Sequence, residues 1–207
     1  MSLFQWWRYK KILAPDFPLF LLCSVLISST ISLNIPLGEY RQISINIVWI
    51  PILYWLHLRK PDINFMFRGR LINLITGFII GIVSGGTVVL ILSLARISNQ
   101  GETLTWIPGS IFYSIQMSIT EEFVFRCLFI NYLRKHINNE SFVNLLQGLI
   151  FGIFHIGKYW QHPVLLFLPI GSGLLYGLAV LKQKSIYGSM IAHILHNLIV
   201  MIYYTVN

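Results

Sequence analysis

The chain has 207 residues, of which 56% are hydrophobic and only 11% charged, with a mean hydropathy of +0.70. A soluble domain carries about a quarter charged residues, so a water-soluble globule is excluded and lipid must be the solvent for much of the surface. The net charge of +8 lies in short clusters between apolar stretches, as at a bilayer interface and unlike a nucleic-acid footprint.

In chain order, Trp6, Trp7, Arg8, Lys10 and Lys11 precede an apolar run from Phe17 to Pro36. That run is too long for a signal-peptide core and has no A-x-A cleavage site. It reads as a retained first span, with the two tryptophans at headgroup level. Seven apolar segments follow from hydropathy: Phe17 to Ile35, Ile43 to Leu58, Leu71 to Leu94, Trp106 to Leu133, Phe142 to Ile156, Pro163 to Leu181 and Ser185 to Tyr204. The second and fifth are short of the roughly 20 residues a full span needs. The third is glycine-rich in its middle, which suits close helix packing in lipid.

Cations test this division. With seven spans and a cytoplasmic N-terminus, Arg8, Lys10, Lys11, Arg59, Lys60, Arg68, Arg70, Arg134, Lys135, Lys182 and Lys184 fall inside, against Arg41, Arg96 and Lys158 outside. Excess lysine and arginine on the cytoplasmic side is the rule for membrane proteins. The expected fold is therefore an all-α, polytopic transmembrane bundle of about seven spans, N-terminus cytoplasmic and C-terminus outside. It is one membrane domain over 1–207, with N-terminal spans over 1–105 and the ionisable motifs on helices within 106–204. Cys23 and Cys127 both lie in apolar segments and read as small core residues without a disulfide framework.

Five of the seven acidic residues lie in loops or flanks, whereas Glu121 and Glu122 stand in the middle of the fourth span. Glu121 comes out about 20 Å from the cytoplasmic end at a helical rise per residue. A charge there costs roughly 2.5–3.5 kcal/mol on insertion scales. Glu122 and Arg126 are four apart and can pair on one helix face. Glu121 points about 100° away and must find its partner on another helix, in water, or in a proton.

His155 in the fifth segment and His193 and Asn197 in the seventh reach comparable depths, at roughly 20, 12 and 18 Å. His57, His136 and His162 lie near span ends, and His196 is about 60° off the face of His193, fitting a packing or hydrogen-bonding role. Singly, each of these groups has an ordinary structural explanation, because ion pairs and histidines in membranes also serve packing. Together, on three helices at one depth, they form a functional-site candidate.

Glu121-Glu122-x-x-x-Arg126, Phe151-x-x-x-His155 and His193-x-x-x-Asn197, in this order on three apolar helices, resemble the CPBP intramembrane endopeptidases. That family includes the CAAX prenyl endopeptidases and the abortive-infection and bacteriocin-immunity proteins. The resemblance covers about Ile111 to Val200. It implies hydrolysis of a peptide bond in a membrane-associated or lipidated peptide or protein. By resemblance, Glu121 is the general base, His155 assists, His193 and Asn197 line the site or stabilise the oxyanion, and Glu122 and Arg126 support its geometry. The family is commonly described as metalloproteases, which implies a divalent ion such as zinc on Glu121, His155 and His193. The same groups also suffice for a glutamate-based hydrolase without metal, and no organic cofactor is expected. Two other readings are a non-catalytic immunity or scaffold protein of the same fold and a proton-coupled transporter. The expected setting is a bacterial plasma membrane, with lipid and a peptide substrate as partners, no nucleic acid, and no oligomeric state legible.

Overall fold

A computed structural model describes residues 69–95, 107–156, 159 and 162–206. The first two expected spans lie outside these residues, as do the N-terminal aromatic and basic segment and Arg41, Arg96 and Lys158 of the charge count. Within them the protein is built from helices: α1 (Leu71–Leu94), α2 (Ile107–Glu122), a π-helical stretch (Phe123–Phe129), α3 (Ile130–Arg134), α4 (Glu140–Phe154), a 3₁₀ turn (Pro163–Leu166), α5 (Phe167–Gln183) and α6 (Tyr187–Val206). Three of these units are long and apolar enough to cross a membrane: Leu71–Leu94, Pro163–Gln183 and Tyr187–Val206. The expected third span coincides with α1, and the other four agree with the observed helices to within a few residues at each end.

Almost every residue of α1 is apolar, and many of its large side chains, Ile79, Ile82, Val83 and Leu90 among them, face outward. Thr76 and Thr87 stay on that helix by donating their hydroxyls to the carbonyls one turn back, at 2.7 Å each. Gly77, Gly81 and Gly85 recur every fourth residue and form the stripe that meets α6. A Cβ on Gly77 would fall 2.2 Å from the Gly188 carbonyl oxygen, and one on Gly81 would fall 2.8 Å from that of Ala192. The contacts advance together along both chains, so α1 and α6 run parallel with backbones touching. This is the close approach that small residues allow in lipid.

Pairing between α4 and α5 works the same way with the direction reversed. A Cβ on Gly148 would strike Leu174, and one on Gly152 would strike Ile170. Asn139 caps α4, its Oδ1 accepting from the Phe142 N–H at 3.1 Å, which satisfies one of the donors a helix start leaves over.

The helix made of α2, the π stretch and α3 occupies the centre. Val124, Phe125, Arg126, Cys127 and Ile130 are completely buried, and the other helices pack around them. Three connections meet at one end of the bundle. Glu140 pairs with Arg134 at 3.0 Å and with Lys184 at 3.4 Å, and Gly69 abuts Tyr187. Arg70, Arg134, Lys182 and Lys184, all expected on one side of the membrane, thus belong to the same end.

Two details differ from the sequence reading. The fourth span is not α-helical throughout: the Ile130 N–H reaches back to the Phe125 carbonyl, five residues away. His155 lies just past the end of α4, because its N–H and that of Ile156 turn to the Gly152 and Ile153 carbonyls at 2.9 and 3.0 Å. The last turn tightens, and the histidine is set at the helix end instead of within the span.

Candidate active site

Glu121 and Glu122 end α2 where the π stretch begins. Glu122 and Arg126 pair at 3.4 Å, both side chains fully buried, as their four-residue spacing predicts. Few hydrogen bonds hold the guanidinium. Its Nη2 donates to the Gly173 carbonyl at a long 3.5 Å, and its carbon lies 4.1 Å from the Phe151 ring centroid and 5.6 Å from that of Tyr176. Aromatic faces attract a desolvated cation and here wall Arg126 in. Gln147 takes over the Gly173 carbonyl more closely, at 2.7 Å.

His193 reaches across from α6. Its Nδ1 lies 2.9 Å from Glu122 Oε1, and its Nε2 lies 3.8 Å from Glu121 Oε2. His155 approaches the same Glu121 oxygen from the end of α4, Nε2 again at 3.8 Å. The ending of α4 fixes this second ring too: the Phe151 carbonyl, left over by the helix terminus, lies 2.8 Å from His155 Nδ1. A carbonyl only accepts, so a neutral His155 carries its proton on Nδ1 and turns an unprotonated Nε2 toward Glu121. An ionised Glu122 imposes the same tautomer on His193.

Three acceptors thus converge on one point: Glu121 Oε2 and the two Nε2 atoms. A group that bears protons or positive charge fits between them. Separations of 3.8 Å suit a water that donates in two directions. The donor types also fit a divalent ion, since each imidazole is backed by an acceptor on its other nitrogen, as metal-bound histidines are. A tetrahedral zinc site with bonds of about 2.0–2.1 Å has ligand edges near 3.4 Å. Among the described residues no three such side chains stand close enough to hold an ion without drawing together.

Asn197 follows His193 by one turn, and its Nδ2 donates to Ser118 Oγ at 3.0 Å. Ser118 spends its own proton on the Ser114 carbonyl at 2.8 Å, so its oxygen can only accept from Asn197. This orients the amide with nitrogen toward α2. His155, His193 and Asn197 border a small open cleft of about 30 Å³, lined also by Phe151, Tyr159 and Tyr176, among others. Leu168 and Pro169 are among its lining residues.

Every residue singled out in the sequence is therefore gathered at one place: Glu121, Glu122, Arg126, His155, His193 and Asn197. His136 and His162 are exposed, away from the cleft, as their span-end positions suggested. His196 does line the cleft, a more direct position than its place on the helix wheel implied. Ser118, Tyr176 and Ser84 also belong to the site and are not marked by the sequence pattern. Ser118 sits one turn before Glu122 on the helix that carries both carboxylates, which is a sign in the sequence; a lone Tyr or Ser in an apolar span gives none.

The all-helical bundle with a cluster of ionisable groups between apolar helices defines a polytopic membrane protein with a buried polar site. Residues 102–199 match the family model described as type II CAAX prenyl endopeptidase Rce1-like. That match supports membership of the CPBP family, on the same helices that carry the sequence resemblance. No curated protein and no solved structure matches the chain.

Proposed function

We propose that this protein hydrolyses a peptide bond of a membrane-associated or lipidated peptide, with Glu121 as the general base. The observation that carries the reading is the convergence of Glu121 Oε2 with His155 Nε2 and His193 Nε2, each pair 3.8 Å apart. Both rings are anchored through Nδ1. A water held there donates one hydrogen bond to Glu121 and the other to a histidine, leaving a lone pair for the substrate carbonyl carbon. As the C–O bond forms, the proton passes to Glu121, a role that suits a carboxylate within hydrogen-bond reach of the nucleophile. The Asn197 amide is a donor for the developing oxyanion. Collapse of the tetrahedral intermediate breaks the C–N bond, and Glu121 returns the proton to the amine. Glu122 and Arg126 do no chemistry in this scheme; they hold His193.

A divalent ion, when bound, would be held by Glu121, His155 and His193 and would polarise the attacking water. The transporter reading wants ionisable groups strung along the membrane normal, and here they cluster. The family match suggests a CAAX-type peptidase, so a prenylated C-terminal peptide is the first substrate to try; a bacterial plasma membrane with the N-terminus inside is the setting we propose.

The test is Glu121→Gln in the full chain. Cleavage of membrane peptides should fall by about a thousandfold or more, the scale on which enzymes lose an essential catalytic group, while yield and thermal stability in detergent stay near wild type. A fully active Glu121→Gln protein sinks the mechanism. A cellular phenotype that survives both Glu121→Ala and His193→Ala, with the protein still in membranes, points instead to a non-catalytic scaffold.

A further inference from the structure

The site lies far from the charged end of the bundle and is exposed on the side away from it. Arg70, Arg134, Lys135, Lys182 and Lys184 all belong to the end where α3 and α5 finish and α1, α4 and α6 begin. Among the described residues the remaining lysine or arginine is Arg126, buried in the site. At about 1.5 Å per residue, Glu121, His155 and Leu168 stand about 20 Å from that end and His193 about 10 Å. Between the two, Ile130, Leu133, Val143, Val180, Leu181 and Ile186 form one apolar cluster, each at most 8% exposed. All six lie within about one turn of the charged end and close it to a polypeptide.

Exposure rises in the other direction. The Glu122 and Arg126 side chains are 0% exposed, that of Glu121 8% and that of His155 19%. The cleft continues this trend: Tyr159, Leu168 and Pro169, which line it beside His155, come from past the end of α4 and from the start of α5. A peptide must be extended to be hydrolysed, and an extended backbone is tolerated at membrane depth only where protein or water meets its polar groups. The scissile segment therefore enters from the end where His155 stands, with the apolar cluster behind it as a floor.

Lysine and arginine gather on the cytoplasmic side of a membrane protein, which makes the charged end the cytoplasmic one. We propose that the substrate is presented from the opposite face: an exported or membrane-anchored peptide whose scissile bond lies in the outer half of the bilayer or at its outer surface. A chain confined to the cytoplasm meets the closed end. The substrate class rests on the peptidase reading; the direction of entry does not.

The experiment uses the full chain carrying Cys23→Ala, with Cys127 kept because it is completely buried, in sealed right-side-out and inside-out vesicles of the same cells. Tyr159→Cys marks the open end, and Lys135→Cys, at an exposed position, marks the charged end. A membrane-impermeant sulfonated maleimide should label Tyr159→Cys only in right-side-out vesicles and Lys135→Cys only in inside-out ones. Cleavage of sulfonated, quenched fluorescent peptides, with and without a lipid anchor, is followed beside it, and the rate in Glu121→Gln vesicles is subtracted. Right-side-out vesicles should cleave about tenfold faster than inside-out ones, since a single orientation leaves the open end on one face. Labelled Tyr159→Cys should lose about a hundredfold in rate, the scale on which a displaced substrate slows a reaction, and labelled Lys135→Cys should stay within about twofold of wild type. Lys135→Cys labelled from outside, or faster cleavage by inside-out vesicles, overturns the proposal. So does undiminished cleavage by labelled Tyr159→Cys. Detergent-solubilised wild type that cleaves nothing removes the peptidase reading and the substrate class with it. The labelling pattern needs no cleavage and still reports which face the open end meets, so the two failures are distinguishable.

Discussion

His193 and Glu122 meet at 2.9 Å, Nδ1 to Oε1, across two helices that are far apart in sequence. The opposite nitrogen of the same ring faces Glu121 at 3.8 Å. One imidazole therefore links two carboxylates that adjoin in sequence but point in different directions. Glu122 is engaged twice, by Arg126 within its own helix and by His193 from α6, which makes it the anchor of the site.

Glu122→Gln tests that anchor. Breaking a buried ion pair by removing one partner costs about 3–5 kcal/mol, because the other charge is left buried and unpaired. The variant should unfold at markedly lower temperature or denaturant than wild type and should lose activity as well. A double change, Glu122→Leu with Arg126→Met, removes both charges and should recover much of the stability while activity stays lost. Thermal unfolding in detergent beside a peptide-cleavage assay reads both.

Asn197→Ala should lower kcat by about 10²- to 10³-fold, the cost of deleting one oxyanion donor, with KM little changed. Ser118→Ala, which frees the amide without removing it, should cost about tenfold by the same argument at reduced strength. Ser118→Thr keeps the accepting oxygen and should restore the rate. A Ser118→Ala enzyme that loses KM and not kcat would show that Asn197 serves binding.

Gly77→Val and Gly86→Ala make a matched pair on α1. A Cβ at Gly77 would meet the Gly188 backbone at 2.2 Å, whereas one at Gly86 meets nothing within 4 Å. Overpacking a tight contact costs about 1–3 kcal/mol, and the backbone here cannot retreat as a side chain would. Gly77→Val should destabilise the protein visibly, and Gly86→Ala should leave it unchanged or slightly firmer. Unfolding midpoints measured side by side decide the matter.

Chelation separates the two forms of the water-activation reading. If Glu121, His155 and His193 draw together around an ion, a strong zinc chelator should abolish cleavage and added zinc should restore it. Metal analysis of the purified protein should then find about one ion per chain, as for other catalytic zinc sites, and none in His155→Ala. Cleavage that survives the chelator leaves the water to Glu121 and the histidines alone.

Much of this arrangement was legible in the sequence because lipid makes polar residues conspicuous. Leu71 to Leu94 is free of charged residues from end to end, and the glycines in its middle signal close packing. Glu121, Arg126, His193 and Asn197 stood out for the same reason, and a helical period was enough to pair Glu122 with Arg126. The π stretch was not legible: Phe123 to Phe129 has no residue that an α-helix would refuse, and only the surrounding packing selects the wider turn. His155 was placed inside its span because hydropathy continues past Phe154, whereas the backbone ends its helix there. Ser84, Ser118 and Tyr176 act through contacts between helices, and a one-dimensional pattern does not record which helices touch.

The π stretch bears on how such a chain gets into a bilayer. Asn131 spends its side chain on the Cys127 carbonyl at 2.6 Å, and the whole turn from Val124 to Ile130 is shielded by neighbouring helices. A helix that carries two adjacent carboxylates and an arginine is costly to leave facing hydrocarbon. α1, the Pro163–Gln183 unit and α6 are long and apolar enough to cross a membrane; the helix that holds Glu121 and Glu122 also carries the buried Arg126. It must be delivered into a space those helices already line, so assembly of the bundle and completion of the site are a single event.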